Sequence, residues 1–259
     1  MQNENMEALV SISVVSHGQS MLVEQLLNDI VRLRISHVEI ILTLNIEETL
    51  SFSPEELGVP IKIIRNTSPQ GYGANNNSAF KVAKGGFFCV MNPDIRLTSN
   101  PFPKLLQSIG NPSVGVVGPL VYNSAGTIED SARHFPTPLG ILARKLERNK
   151  TTDYMMIGNK SLNPDWIAGM FMLFRREIYE TIGGFDERYF MYLEDADLCA
   201  RIWSSGKKVV LNPNVSIVHD AQRHSSKSFK YFKWHLMSMM RFFVSNVFVS
   251  QKVDCKVLP

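Results

Sequence analysis

Short apolar runs alternate with helical patterns through the first half of this chain, and this alternation constrains the fold more than any other feature. Val10–Ser16 predicts a strand, and Met21–Leu33 then places leucine, isoleucine and valine at helical spacing. Further strands are predicted at Val38–Leu44, Ile61–Arg65, Phe87–Met91 and Val114–Val121, with a helix at Asn75–Lys84. Strands that alternate with helices form parallel βαβ units. The sequence therefore predicts an α/β fold with a Rossmann-like, mostly parallel central sheet flanked by helices.

The second half of the chain is less regular and ends in an amphipathic helix. Trp166–Phe174 suits one buried strand, and Lys208–Leu211 and Ser216–His219 predict two more. The helix is predicted over residues 226–245. Its predicted apolar face carries Phe229, Phe232, Leu236, Met240 and Phe243, and its polar face carries Lys227, Lys230, Ser238 and Arg241.

Composition excludes several classes of protein. The net charge of +3 is too small to indicate nucleic-acid binding. Three well-separated cysteines, Cys89, Cys199 and Cys255, offer neither a disulfide framework nor a CxxC metal site, so they are predicted to be buried apolar residues of a cytoplasmic protein. No signal peptide or membrane-spanning run is recognisable.

Basic residues concentrate near the end of the chain. Residues 221–253 contain no acidic residue and six basic ones: Arg223, Lys227, Lys230, Lys233, Arg241 and Lys252. Such an excess attracts anionic lipid, so peripheral contact with a membrane is one interpretation. The alternative is an ordinary helix packed on the domain.

Ligands of open α/β sheets bind at the carboxyl ends of the strands. The polar segments predicted at that edge are Ser16–Gly18, Asn45–Glu48, Asn66–Asn77 and Asn92–Asp94. Asp94 follows a buried strand, where a carboxylate can hold Mg²⁺ or Mn²⁺ against a diphosphate, although Asn-Pro-Asp is also an ordinary turn.

A glycine- and asparagine-rich segment, Gly71–Asn77, lies at a predicted helix start. Glycines let a backbone approach a ligand, but a turn capped by Asn75 explains the same residues. Asn76 occupies the place where a dinucleotide fingerprint needs its last glycine, which disfavours a nicotinamide dehydrogenase.

Three carboxylates crowd into the acidic cluster Glu194, Asp195 and Asp197. Mutual repulsion raises the pKa of such groups and favours a general base, whereas acidic residues in a first helical turn also simply complement the helix dipole. The preceding Phe185–Tyr192 is rich in aromatic side chains that can hold a sugar ring. His219 ends a predicted strand; a lone histidine is more often structural, but with Asp94 it could complete a metal site.

In this order, the motifs resemble the inverting GT-A glycosyltransferases of family 2. Within that family they resemble the bacterial rhamnosyltransferases of O-antigen assembly that act on N-acetylglucosaminyl-diphospho-undecaprenol. The segments that carry the resemblance are Val14–Gly18, Gly71–Ala79, Asn92–Asp94, Trp166–Gly169, Gly184–Arg201 and Trp234–Phe242.

The resemblance implies roles for individual residues. It makes Asp195 the catalytic base, Asp94 and His219 ligands of Mg²⁺ or Mn²⁺, and Trp166 and Glu194 contacts of the acceptor. Asp197 and Arg201 are implied to support the helix that carries the base. The implied donor-binding residues are Ser16, His17, Gly18, Asn45, Gly73, Asn76, Asn77, Asn92 and Asp94.

The resemblance also implies partners and an organisation of the chain. The donor is expected to be dTDP-rhamnose and the acceptor a lipid-diphosphate-linked glycan at the inner face of the cytoplasmic membrane. Residues 1–122 would bind the nucleotide sugar, residues 123–225 would form the acceptor-binding and catalytic half, and residues 226–259 the helix and tail. Leu44 stands where relatives commonly carry a base- or ribose-recognising aspartate, so UDP- and GDP-sugars stay open as donors, as does a non-catalytic sugar-nucleotide-binding subunit.

Overall fold

The computed structural model describes residues 9–137, 160–219 and 229–245. Within these ranges no helix combines the length and apolar character needed to cross a membrane. The basic side chains of Arg223, Lys227 and Lys252 lie outside the described residues, as do Cys255 and the side chains of residues 229–232.

The first half of the chain forms a four-stranded parallel unit. Its elements are β1 (Val10–Ser16), α1 (Ser20–Arg32), β2 (Val38–Leu44), a 3₁₀ turn (Pro54–Glu56), β3 (Ile61–Arg65), α2 (Tyr72–Val82) and β4 (Phe87–Met91). β1 pairs with β2 on one side and β4 on the other, and β3 extends the sheet beyond β2. The four predicted strands are confirmed with unchanged bounds; β1, β2 and β4 are buried almost throughout, as expected of strands covered on both faces.

The second half completes the same sheet. Its strands are β5 (Ile95–Arg96), β6 (Val114–Asn123), β7 (Ala132–Arg133), β8 (Trp166–Ile167), β9 (Phe171–Arg175) and β10 (Lys208–His219). Its helices are α3 (Phe102–Ile109), α4 (Arg176–Thr181), α5 (Glu194–Ser204) and α6 (Phe229–Val244). The order of the eight-stranded sheet is β3-β2-β1-β4-β9-β6-β10-β5, and β7 pairs with β8 separately. β9 runs antiparallel between β4 and β6, β10 pairs parallel with β6, and β5 pairs antiparallel with β10 at the edge.

Two strand predictions in the second half were wrong. Trp166–Phe174 is not one strand: β8 ends at Ile167 and β9 begins at Phe171, with a turn at Gly169 that lies against Asp195. Lys208–His219 is one strand rather than two, with a bulge where Asn212 and Ser216 break the register with β6.

The core fills both faces of the sheet, as expected for strands covered by helices on each side. One cluster joins α1 and α3 to β1 residues such as Ile12, and the other joins α5 to β4 and β9 residues such as Phe88. Cys89 and Cys199 are free and buried, which confirms their predicted apolar role.

A buried carboxylate fixes α1 to the segment that follows β4. Asp29 is 2% exposed and accepts hydrogen bonds from Arg96 Nε at 2.7 Å, Arg32 Nη2 at 2.8 Å and the Leu97 backbone N–H at 3.0 Å. Burial by itself raises the pKa of Asp29, but the two arginines and the Leu97 N–H outweigh it and lower the pKa. This cluster holds the β5 strand, and hence the turn before it, in place.

α6 lies at the predicted position, but its faces are not as predicted. Ser238, assigned to the polar face, is 5% exposed, whereas Leu236 and Met240, assigned to the apolar face, are 46% and 62% exposed. Phe242 is the buried aromatic residue. Tertiary packing buries a different side of this helix from the one predicted. Because most of its residues are apolar, periodicity alone does not show which side faces the core.

Candidate active site

The predicted polar segments meet at one edge of the sheet, where β1, β2 and β4 end. Asn45, directly after β2, is central. Its Oδ1 accepts hydrogen bonds from Asn66 Nδ2 at 2.9 Å and from the Gln70 N–H at 2.8 Å, and its Nδ2 lies 3.2 Å from His17 Nδ1. Asn45 is 7% exposed, so it orients the loops around it rather than presenting a free amide.

The loop after β1 presents one exposed ring to this edge. Ser16 is fully buried, and its Oγ accepts a hydrogen bond from the Gln19 N–H at the start of α1. His17 and Gly18 are exposed, and Gly18 adopts φ +74°, which favours glycine. Of these three predicted donor contacts, His17 is therefore the one whose side chain reaches solvent. Its Nδ1 atom lies next to the Asn45 amide.

The asparagines at the start of α2 serve the fold. Asn76 is fully buried between Ser13 Oγ, at 2.7 Å, and the Tyr72 carbonyl, at 3.0 Å. Asn77 Oδ1 accepts from the Tyr179 hydroxyl and the Phe185 N–H, while its Nδ2 donates to the Phe185 carbonyl. Both amides were predicted to bind the donor, and that role stays a prediction; in the structure their polar atoms join α2 to the sheet and to the loop before α5.

Helix α2 begins at Tyr72 with Gly71 as its N-cap residue, so Asn75 is not the cap. Its glycines are explained by packing. A Cβ on Gly73 would lie 2.6 Å from Phe185 Cβ, and one on Gly71 would lie 2.8 Å from the Phe190 carbonyl oxygen. Gly73 was predicted to let a donor approach, but it is the loop before α5 that approaches it.

Asp94 and His219 come together as predicted. His219 is the last residue of β10 and pairs with Ile95 in β5, which places its Nε2 3.2 Å from Asp94 Oδ2. Glu129 Oε2 lies 2.7 Å from the other ring nitrogen, Nδ1. Burial by itself lowers the pKa of His219, but Asp94 and Glu129 outweigh it and raise the pKa to about 9. The imidazole is therefore cationic at neutral pH between two carboxylates. A ring protonated on both nitrogens has no lone pair for a metal ion, so binding of a cation through Nε2 would require the loss of that proton.

These residues suit a divalent cation that a diphosphate also coordinates. Asp94 Oδ1 is buried and receives no hydrogen bond from any described residue, so an acceptor oxygen at this edge lacks a partner. Among the described residues no three carboxylate, imidazole or thiolate groups converge as a complete metal site. One carboxylate plus substrate phosphates is a usual environment for Mg²⁺, so the pair fits a cation that binds together with the donor.

Tyr72 links the Asp94 turn to the acidic cluster. Its hydroxyl lies 2.9 Å from Asn92 Oδ1 and 2.8 Å from the Gly169 carbonyl oxygen, so it donates its proton between these two acceptors. Burial first, then the charges of Glu194, Asp195 and Asp94, raise its pKa well above the usual value. Tyr72 thus bonds to Asn92, two residues before Asp94, and to Gly169, whose N–H donates to Asp195, so the Asp94 turn and Asp195 lie on either side of this tyrosine.

The hydrogen bonds of Asp195 are those expected of an ionised carboxylate, since both of its oxygens accept backbone N–H groups. Its Oδ2 accepts from the Gly169 N–H at 2.8 Å, and its Oδ1 accepts from the Ala196 N–H at 2.9 Å. Burial raises its pKa, although these N–H groups and the charge of Arg133 oppose that shift. Each oxygen retains a lone pair, so the carboxylate can accept a proton from a bound hydroxyl.

Glu194 lies beside Asp195 and is 7% exposed. Burial, followed by repulsion from Asp195, raises the pKa of Glu194 to about 8. Its Oε2 is buried without a hydrogen-bond partner among the described residues. The backbone before it is strained, since Tyr192 and Leu193 have φ of +73° and +65°. By contrast, Asp197 forms an ion pair with Arg201 at 2.8 Å and supports α5, as predicted.

Trp166 borders the same region without offering its ring face. It is 6% exposed, its indole N–H donates to the His134 carbonyl at 3.0 Å, and the Arg133 guanidinium lies 5.1 Å from the ring centroid. Any contact of Trp166 with an acceptor would therefore involve Arg133, which covers it and also influences the pKa of Asp195.

Sequence reasoning missed Glu129, Tyr72 and Arg133. Tyr72 lies inside the recognised glycine-rich segment, so its polar group in an otherwise buried helix start was an available signal. Glu129 and Arg133 follow β6 in a stretch without any recognised motif, and only the pairing of β6 with β10 brings Glu129 beside His219.

Comparison with known proteins agrees with this geometry. The model of glycosyl transferase family 2 matches residues 11–183, and a model described as the N-terminal domain of galactosyltransferase matches residues 159–237. The rhamnosyltransferase WbbL of Escherichia coli is 27% identical over 94% of this chain and 96% of its own length. The N-acetylglucosaminyl-diphospho-decaprenol L-rhamnosyltransferase of Mycobacterium tuberculosis is 34% identical over half of this chain and 45% of its own length.

Solved structures share the fold. GalNAc-T7 with UDP, GalNAc and Mn²⁺ superposes with a TM-score of 0.64 at 16% identity, over 85% of this chain and 45% of that one. A Pyrobaculum calidifontis mannosyltransferase in complex with GDP-Man and Mn²⁺ gives 0.60 at 15% identity, over 92% of this chain and 64% of that one. The predicted GT-A fold is thus confirmed. Since the family model covers more than half of the sequence, the chain belongs to glycosyl transferase family 2 and is a glycosyltransferase.

Proposed function

We propose that this enzyme transfers L-rhamnose, with inversion, from dTDP-rhamnose to a lipid-diphosphate-linked N-acetylglucosamine acceptor during cell-surface polysaccharide synthesis. The observation that carries the proposal is the arrangement around Tyr72. On one side of this residue lies Asp195, the proposed base, and on the other lie Asp94 and His219, which we assign to the diphosphate of the donor. The curated relatives with rhamnosyltransferase names support the choice of sugar.

Asp195 takes the proton of the acceptor hydroxyl, and the resulting oxygen attacks the anomeric carbon as the bond to the nucleoside diphosphate breaks. Both Asp195 oxygens are fixed by backbone N–H groups, so the base is oriented before the acceptor arrives. Glu194, whose Oε2 has no described partner, is assigned to a hydroxyl of the acceptor sugar.

The leaving diphosphate carries the charge that develops in this reaction. Asp94 and His219 would hold Mg²⁺ or Mn²⁺, which when bound neutralises that charge. Glu129 orients the His219 ring, and the exposed His17 ring contacts the donor nucleotide from the opposite loop. Solved relatives recorded with nucleotides and Mn²⁺ support this division of the site.

The test is transfer itself. Radiolabelled dTDP-rhamnose and a short-chain N-acetylglucosaminyl-diphospho-lipid are incubated with the protein, and label is followed into the lipid fraction. Absence of transfer with Mg²⁺ and with Mn²⁺, while another sugar nucleotide is consumed, would remove rhamnose from the proposal.

A donor other than dTDP-rhamnose has specific support. Leu44 replaces the family's nucleotide-recognising aspartate, Asn45 is committed to internal hydrogen bonds, and a galactosyltransferase model matches the second half of the chain. A thermal-shift series with dTDP-, UDP- and GDP-sugars at one concentration separates these donors, because the ligand that binds most tightly raises the unfolding free energy the most.

A further inference from the structure

One face of α6 exposes a continuous apolar stripe. Its members are Leu236, Met237, Met240 and Val244, with exposed fractions of 46%, 55%, 62% and 81%. At 100° per residue these four positions share one side of the helix. Elsewhere in the described chain, comparably exposed large apolar side chains are limited to Met21 and Val31 on α1. Exposed apolar area is therefore concentrated on this stripe, as at interaction surfaces.

The opposite face of α6 already packs against the domain. The exposed stripe is therefore not the side by which α6 joins the core. Ser238 Oγ donates to the Met191 carbonyl at 2.8 Å, and Phe242 is 1% exposed. The Trp234 ring lies 4.5 Å from that of Phe190. The buried side of the helix thus binds the loop that leads into α5.

That loop connects the stripe to the acidic cluster. After Met191 the chain passes through the strained residues Tyr192 and Leu193 and directly into Glu194 and Asp195. The His235 ring also contacts Tyr192 edge-on at 5.2 Å. A surface that binds the stripe is accordingly brought next to the segment that supplies the base.

The charge of α6 identifies the chemistry of that surface. Residues 229–244 contain three basic residues and no acidic residue, and Lys233 is exposed one turn before Met237. Flexible apolar side chains flanked by lysine, on a helix that does not cross the bilayer, are typical of interfacial helices on anionic lipid.

We propose that the α6 stripe docks this enzyme on an anionic lipid surface, with α6 lying in the plane of the interface. The proposal rests on the proposed function in one respect, since an acceptor carried by lipid lies in such a surface. Docking then presents the acceptor sugar to the loop that α6 holds, and confines the search for the acceptor to two dimensions.

Flotation of the full chain tests the docking. With phosphatidylcholine–phosphatidylglycerol vesicles the protein is expected to float, and with pure phosphatidylcholine to remain largely at the bottom of the gradient. Met237→Ser/Met240→Ser should weaken partition by about tenfold, because it removes half of the stripe. Met21→Ser, an equally exposed apolar site on α1, is the matched control and should float like the parent.

Three outcomes would overturn the docking: no flotation of the parent with anionic vesicles, unchanged flotation of the double variant, or a lipid-free dimer that the double variant dissociates. The last would make a second copy of the chain the occupant. Thermal unfolding checks that both variants fold. Turnover on a water-soluble acceptor should be equal in the parent and the double variant. This assay tests the proposed transfer without vesicles, so its failure is distinguished from a loss of vesicle binding.

Discussion

Replacing Asp195 by asparagine changes the proposed base with the least change in shape. In the parent, both carboxylate oxygens accept backbone N–H groups, from Gly169 and Ala196. Asparagine has one oxygen and one NH₂ group, so one of the two N–H donors faces another donor. A buried unpaired donor costs about 1–3 kcal/mol of unfolding free energy. For a domain of this size that lowers Tm by roughly 2–12 °C, which a thermal melt detects.

The catalytic loss should exceed the structural one. Removing a general base typically costs about 10²–10⁴ in kcat, or about 2.7–5.5 kcal/mol of transition-state free energy. The KM for the donor should change little, because Asp94 and His219 are untouched. Initial rates with varied donor and saturating acceptor separate the two parameters.

Asp197→Asn is the matched control, since it makes the same chemical change two residues further along α5. Asp197 is 2% exposed and ion-paired with Arg201, so this variant should lose stability while its kcat stays within about threefold of the parent. If Asp195→Asn keeps kcat within about tenfold of the parent, or if the two variants lose kcat equally, then Asp195 is not the base.

Three further predictions concern Tyr72, Glu129 and Asp29. Tyr72→Phe should lower kcat by about tenfold or more and leave vesicle binding intact, because it removes the hydroxyl between Asn92 and Gly169; steady-state kinetics measures this. Glu129→Gln should weaken Mn²⁺ binding in the presence of nucleoside diphosphate by about 10–100-fold, as read by calorimetry, and an unchanged Kd would contradict the positioning role. Asp29→Asn should lower the unfolding free energy by about 3 kcal/mol at neutral pH. Because the folded-state pKa of Asp29 is lowered, that difference is complete above the unfolded pKa of about 3.9 and disappears as pH falls through the folded pKa; chemical denaturation at several pH values checks the sign.

Much of the site could be anticipated from residues that follow strands. β1, β2, β3 and β4 have the bounds that their short apolar runs predict, and parallel strands deliver the residues after them to one edge. Asp94 and Asp195 were recognised by their chemistry and context, and His219 was paired with Asp94 in advance. The strand bounds and the edge of the sheet needed only local pattern and a general rule of topology, whereas the choice of Asp195 as the base came from the family resemblance.

Inferences about what a polar side chain touches were less successful. The family resemblance assigned Asn76 and Asn77 to the donor, yet in the structure their amides bind Ser13, Tyr179 and Phe185. Gly73 looks like room for a donor, yet Phe185 occupies that room. Asparagine amides form hydrogen bonds, and glycines allow close backbone contacts, both inside a fold and around a ligand. Residue type alone therefore does not distinguish a structural role from a ligand-binding role.

The sequence by itself determined the α/β class of this glycosyltransferase, the edge of the sheet at which its polar loops meet, and the carboxylates proposed to act there. Those properties depend on periodicities of two and 3.6 residues and on the order of elements along the chain. Tertiary structure alone decided that Glu129 supports His219 from 90 residues away, that Tyr72 connects Asp94 with Asp195, and that α6 buries Ser238 while exposing Met240. These depend on which distant surfaces meet, a choice made by the packing free energy of the whole chain and not recorded in any single segment.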